Sequence, residues 1–228
     1  LACDALTVEN GGMVEVIGIW SSPSGAVSLT LTEGSWLYTR DMVLPVGQVR
    51  LTGGSMAVLD RPEALTDVQV DGGSALVLAG EGLTTGDGLT LEVSDGLIVQ
   101  LCDAQLANFQ INVGDNAAYQ QNGPLTLDEG TLFIAQEGLY RGSERPVILG
   151  GDTLVDNHGT LALNAFSTII PSQLGGQFDN YGTLYLATPV TLEGTLNNYG
   201  EIRSSYSQEA EVLLTGSGTL TGSTEIQP

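Results

Sequence analysis

A short phrase recurs three times in the C-terminal half of the chain, and it constrains the fold more than any other feature. Residues 155–163 read VDNHGTLAL, residues 178–186 read FDNYGTLYL, and residues 196–204 read LNNYGEIRS. Each copy places a turn-forming Asn and Gly before alternating apolar and polar residues. Self-similarity at a spacing of about twenty residues is typical of a solenoid, in which each repeat forms one coil.

The same spacing extends over nearly the whole chain. A glycine in a turn-like context precedes an apolar alternation at eleven positions, which follow one another at intervals of about twenty residues. These markers are Gly12, Gly34, Gly54, Gly73, Gly96, Gly114, Gly130, Gly159, Gly182, Gly200 and Gly218. Gly138 competes with Gly130 as the marker of the middle coil, and the sequence leaves that choice open. In the first half the apolar positions are shifted by one residue relative to the glycine, which predicts turns of a different construction.

The alternation itself predicts strands. Segments such as VSLTLTEG and LTLEVSDG alternate apolar and polar residues and end in turn formers. Good helix formers never run for three turns without Gly, Pro or a β-branched residue. The glycines are expected to supply the positive φ of the corners. We therefore predict an all-β fold with little or no helix.

The repeated phrases also resemble a known class of protein. The D-N-x-G-T-L phrases at 156–161 and 179–184, with N-N-Y-G-E-I at 197–202, are similar to those of right-handed parallel β-helix proteins, as in bacterial adhesin and autotransporter passengers and pectate-lyase-like surface proteins. The resemblance implies a single-domain right-handed parallel β-helix over residues 1–228, with about eleven coils of roughly 20 residues. We expect the chain to be a fragment of a longer protein. The resemblance implies no particular activity, because one fold hosts many functions.

Charge excludes several classes of partner. The chain has 27 acidic residues and six basic ones, giving a formal net charge of -21 at pH 7. Such a surface repels nucleic-acid phosphates and anionic lipid headgroups. No apolar run approaches the ~20 residues of a membrane span, so no membrane insertion is expected. Acidic turns favour weak binding of Ca²⁺, which the sequence does not localise, and no other cofactor is expected.

The phrase predicts two columns of side chains. Asn157, Asn180 and Asn198 occupy one slot of successive coils, where their amides can bond to one another. The next slot holds His158, Tyr181 and Tyr199, which should form a column of rings about 5 Å apart, ended by Ser217. Exposed rings of this kind can contact the apolar face of sugars. The alternative is that the rings only stack on one another and stiffen the turn.

A catalytic reading rests on carboxylates. The resemblance implies that polysaccharide lyases of this fold use acidic clusters with Ca²⁺ and a basic residue, whereas hydrolases use neighbouring aspartates. The weak candidates here are Asp156, Asp179 and Arg203, in a wider set with Asp152, Arg141 and Arg145. Asp is also common in turns for its own backbone bond, and Asp71, Asp95, Asp128 and Glu129 fall in corresponding turns elsewhere. We therefore lean against an enzyme.

The two cysteines test the solenoid. Cys3 and Cys102 lie in segments five markers apart, or ~24 Å along the axis, whereas a disulfide needs Cα atoms within ~7 Å. We predict two unpaired thiols that face inward.

These observations favour a secreted or bacterial cell-surface domain with a structural or adhesive role, which contacts a polysaccharide or a cell-surface glycan. The alternative is a carbohydrate-active enzyme, a polysaccharide lyase or glycoside hydrolase, on the same scaffold. Ice binding through Thr-x-Thr pairs is a third and weaker reading, because neighbouring coils interrupt the pattern.

Overall fold

Successive coils of the chain stack on one another through parallel strands. The computed structural model describes residues 2–18, 20–41, 44–63, 65–85, 88–142, 145–163, 172–204 and 214–227. Within these ranges the chain forms thirty β-strands and no helix, and the named strands pair only in parallel. The predicted all-β parallel solenoid is therefore confirmed.

The strands form three sheets, which are the faces of the solenoid. The first sheet stacks β1 (Ala5–Val8), β3 (Val27–Leu31), β5 (Leu44–Leu51), β8 (Asp67–Val70), β11 (Leu89–Val93), β14 (Phe109–Val113), β17 (Gly130–Ile134), β20 (Thr153–Asn157), β23 (Gln177–Asn180), β26 (Thr195–Asn198) and β29 (Thr219–Gly222), with the short β7 (Pro62–Glu63) beside β5. The second stacks β2 (Met13–Ile17), β4 (Trp36–Arg40), β6 (Met56–Asp60), β9 (Ser74–Ala79), β12 (Gly96–Gln100), β15 (Ala118–Gln121), β18 (Leu139–Gly142), β21 (Thr160–Leu163), β24 (Thr183–Leu186), β27 (Glu201–Ser204) and β30 (Ile226–Gln227). The third stacks β10 (Leu83–Thr85), β13 (Ala104–Ala107), β16 (Leu125–Asp128), β19 (Val147–Leu149), β22 (Ser172–Leu174), β25 (Val190–Leu192) and β28 (Leu214–Thr215).

The number of coils is about nine, not the eleven that the markers suggested. Each of the two long stacks contains eleven strands in line. The first and last strands of a stack have a neighbour on one side only, which leaves nine that are paired on both sides. At ~4.8 Å per coil, nine turns span ~43 Å.

Alternating residues of each strand fill the interior. On the first sheet, Leu91, Ile111, Leu132, Val155 and Phe178 follow one another in register and are all buried. Leu161 and Leu184 do the same on the second sheet, as the phrase predicted. Equivalent apolar residues therefore lie directly above one another along the axis.

The register settles which residues are equivalent. Leu139 pairs with Thr160, so Gly138 corresponds to Gly159, whereas Gly130 pairs with Thr153 on a different sheet. Gly138 is therefore the marker of the middle coil.

Two further assignments change. Gly218 donates its N–H to Leu192 and lies at the corner before the first sheet, so it does not continue the markers. The slot above Tyr199 belongs to Ser223, whose N–H bonds to Asn198 O, and not to Ser217. In the first half, Ser74 rather than Gly73 pairs with Gly96, which explains the one-residue shift in the pattern.

The glycines serve two different purposes. Gly34, Gly54 and Gly73 have φ values of 72°, 75° and 74°, as expected for corner residues. Gly159, Gly182 and Gly200 of the repeated phrase do not have positive φ, so that expectation was wrong for them. A Cβ at Gly182 would collide with the carbonyl oxygen of Gly159 beneath it. Glycine is required there because two backbones approach closely.

We expect Gly182→Ala to lower the free energy of unfolding by about 1–3 kcal/mol, since the added methyl group overpacks the backbone of the neighbouring coil. Gly151→Ala is the matched control, because a Cβ at Gly151 has open space around it and no positive φ opposes the change. Urea unfolding followed by circular dichroism measures both. Equal stability of the two variants would contradict the close approach.

Both cysteines are free thiols, as predicted. Cys102 is buried, with 1% of its surface exposed, while Cys3 is half-buried against the core. Burial raises the pKa of the Cys102 thiol to about 11.

We expect one thiol per native chain to react readily with a maleimide or disulfide reagent at pH 8. Cys102 should react only on unfolding, because its raised pKa leaves about 100-fold less thiolate than an ordinary cysteine has. Cys3→Ser should abolish the rapid phase. Two rapidly reacting thiols would contradict the burial of Cys102.

Candidate functional site

A ladder of buried amides lies behind the repeated phrase. Asn157 Nδ2 donates to Asn180 Oδ1 at 2.7 Å, and Asn180 Nδ2 donates to Asn198 Oδ1 at 2.6 Å. Each amide also donates to a main-chain carbonyl of the next coil, those of Thr183, Glu201 and Ser223 respectively. All three side chains are buried. The predicted ladder is present, and it ties four successive coils together at one corner.

The ladder has a defined beginning and end. Ile134 occupies the slot below Asn157, and Gly222 occupies the slot above Asn198. Asn157 Oδ1 has no hydrogen-bond partner among the described residues. A buried carbonyl without a donor costs about 1–3 kcal/mol, so the first member of the ladder stabilises least.

The column of rings lies just outside the ladder. The His158 and Tyr181 ring centroids are 4.7 Å apart with an interplanar angle of 9°, and those of Tyr181 and Tyr199 are 5.0 Å apart at 17°. The predicted spacing of about 5 Å therefore holds. Phe133 tilts against His158 from below, at 5.8 Å and 47°.

This geometry limits what the rings can contact. In a face-to-face stack the inner faces of each ring are covered by its neighbours, so Tyr181 presents only its edge and hydroxyl to solvent. Tyr199 is 63% exposed, and the small Ser223 follows it in the column, so its outer face is bare. Sugars that stack on aromatic rings need such a face.

Stacking changes the acidity of the central phenol. Removal of water by its neighbours raises the pKa of Tyr181, and the negative charges of the Asp179 and Asp156 carboxylates raise it further. The fold therefore favours the neutral phenol. This contribution to stability is present up to about pH 10 and is lost as Tyr181 ionises above it.

The candidate carboxylates form a column on the outer face of the first sheet. Asp156 and Asp179 pair in register, followed by Asn197 and Thr221. Asp156 Oδ1 lies 3.0 Å from His158 Nε2. Asp179 accepts hydrogen bonds from Asn197 at 2.7 Å and from Gln177 at 2.7 Å. Hydrogen bonds therefore hold Asp179 in place, whereas the buried Asp156 Oδ1 forms no hydrogen bond with the described residues.

The candidate arginine does not join this column. Arg203 lies in β27 of the second sheet and bonds to Glu201 Oε2 at 2.6 and 2.8 Å. Arg141 lies on the same sheet as Arg203, three coils earlier. Asp152 lies in the turn before β20, and Arg145 lies before β19. Within the described ranges, no group of three or more His, Cys, Asp or Glu residues is placed to hold a metal ion.

A second aromatic stack lies inside the solenoid and was not anticipated. The Tyr119 and Tyr140 rings are 5.3 Å apart at 3°, and both are buried. The Tyr119 hydroxyl bonds to Gln100 Oε1 at 3.0 Å, and burial raises the pKa of both phenols. Tyr119 follows Gly114 by five residues and Tyr140 follows Gly138 by two, so the glycine markers do not show that the two tyrosines are equivalent.

No protein-family model, curated protein or solved structure matches this chain. In the part of the chain that the structure covers, no helix has the length and apolarity needed to cross a membrane.

We expect Asn180→Ala to lower the free energy of unfolding by about 2–3 kcal/mol, because it removes the central rung and leaves buried amide groups without partners. Asn197→Ala is the matched control, since Asn197 lies on the outer face and its loss should cost under about 1 kcal/mol. Chemical denaturation of both variants provides the measurement. A smaller loss for Asn180→Ala than for Asn197→Ala would show that the ladder does not hold the coils together.

Proposed function

We propose that this chain is a structural rod of a secreted or bacterial cell-surface protein, with an adhesive contact to glycan at the end of its ring column. One observation carries the proposal: the polar and aromatic groups of the repeated phrase bind their equivalents in neighbouring coils. The amide ladder, the ring stack and the Asp179–Asn197 contact all run along the axis. Groups arranged in this way stiffen a rod.

The adhesive part of the proposal rests on Tyr199. Its outer face is bare, and Ser223, which follows Tyr199 in the next coil, supplies a hydroxyl group beside that face. An aromatic face with nearby polar groups suits a sugar ring, which has an apolar face and hydroxyls at its rim. The net charge of -21 favours a neutral glycan over an acidic one.

The arrangement does not favour the alternative of a carbohydrate-active enzyme. Asp179 accepts hydrogen bonds from Asn197 and Gln177, whereas Asp156 Oδ1 lies 3.0 Å from His158 Nε2 without a hydrogen bond to the described residues. Arg203 is paired with Glu201 on another sheet. The two carboxyl groups of a retaining glycosidase lie on either side of the glycosidic bond that is broken. One must be free to act as the nucleophile and the other as the general acid.

The test is a glycan array probed with the purified chain, with and without Ca²⁺. We expect binding to neutral polysaccharide that Tyr199→Ala weakens by about tenfold, because the bare ring face at the end of the ring column is lost. Tyr38→Ala is the matched control, since Tyr38 is exposed on β4, far along the chain from the ring column.

Two results would count against the proposal. Binding that survives Tyr199→Ala unchanged in a folded protein would remove the ring column from the contact. Release of reducing ends or of unsaturated sugars from the bound polysaccharide would favour the enzyme instead.

A further inference from the structure

The outer face of the second sheet is apolar over its first half. We define the apolar face by six outward side chains of β4, β6, β9 and β12, namely Trp36, Met56, Val58, Val77, Leu97 and Val99. Trp36 and Met56 pair in register, and Val58, Val77 and Val99 form a straight column beside them. Trp36 is 49% exposed, and the other five are half-buried.

The fold does not require these residues to be apolar. The column that contains Val99 continues with Gln120 and Arg141 in the following coils. The column that contains Leu97 continues beyond Leu139 with Thr160 and later Glu201. Outward polar residues are therefore tolerated on the same sheet. A contiguous apolar surface that folding does not need marks a site of interaction.

Charge identifies the partner. The turns before β4, β9 and β12 carry the exposed carboxylates of Glu33, Asp71 and Asp95, and the turn before the next strand, β15, carries that of Asp115, so an acidic edge runs along the apolar face. A second copy of this chain would bring the same acidic edge against the first, in molecules that each carry a net charge of -21. A cationic partner meets attraction at the same place.

We propose that the apolar face binds an amphipathic helix of a basic partner protein, with the apolar stripe of the helix on the valine column and its Lys or Arg residues against the acidic edge. Helices pack on flat sheet faces of this kind. The outward apolar column runs from Met13 in β2 to Leu139 in β18, which is ~29 Å, or about 19 residues of helix.

The chain contains its own reporter of binding. It has two tryptophans, of which Trp20 is 4% exposed and Trp36 is 49% exposed on the apolar face. Covering Trp36 shifts its fluorescence to shorter wavelength, whereas Trp20 is already buried.

The probe is a synthetic helical peptide of about 19 residues with Leu on one face and Lys on its flanks. We expect it to blue-shift Trp36 emission with a dissociation constant of about 10 μM or below. A scrambled peptide of the same composition, which has no continuous apolar face, and a peptide with Glu in place of Lys should each bind at least about tenfold more weakly.

Variants of the chain test each half of the contact. Val58→Thr/Val77→Thr/Val99→Thr keeps the shape and β-branching and should weaken binding at least about tenfold. Ile148→Thr makes the same kind of change on the third sheet and should leave binding as it is. Asp71→Asn/Asp95→Asn/Asp115→Asn should weaken binding and reduce its dependence on salt. Met56→Gln replaces the triple valine variant if that variant does not fold.

Three outcomes would overturn the proposal. Equal binding of the scrambled peptide would show attraction by charge alone, and absence of any Trp36 shift would show that the face is not used. Self-association measured by light scattering, if the triple valine variant abolished it, would assign the face to a second copy of this chain.

Discussion

Main-chain hydrogen bonding between successive coils is the interaction on which the rest of this structure depends. Because each strand pairs in parallel with its equivalent one coil away, a residue is forced above the residue in the same slot. Leucine then packs on leucine inside, and asparagine bonds to asparagine at the corner.

The same stacking makes buried polar groups acceptable. An isolated buried amide would cost about 1–3 kcal/mol, but Asn180 finds a donor below it and acceptors above it. The ladder depends on three consecutive coils that share one slot, and its lower end shows the cost of breaking the series, because Ile134 offers nothing to Asn157.

The outer surface divides into regions with different chemistry. The rings of the C-terminal coils stack along the axis, and Asp179 accepts a hydrogen bond from Asn197 of the next coil, which suits a stiff rod with a bare ring face at Tyr199. The N-terminal coils present apolar side chains on the second sheet beside an acidic edge. The two proposed contacts lie on different coils, so they do not compete for the same surface.

The sequence by itself determined the solenoid, its strands, the Asn ladder and the ring column, because a repeat that stacks in parallel converts equal slots directly into neighbours. It could not determine the slots where the spacing from glycine to strand varies, and so it missed the Tyr119–Tyr140 stack, since Tyr119 is five residues from Gly114 and Tyr140 is two from Gly138. Only the tertiary structure decided that Gly182 is needed for close approach and not for positive φ. It alone decided that the rings cover one another's faces, that Arg203 belongs to another sheet than Asp156 and Asp179, and that the valines of three coils form one outer surface. These features depend on how each coil closes in three dimensions: how the rings tilt, which slot falls on which sheet, and how closely two backbones approach. The repeat in the sequence does not encode that closure.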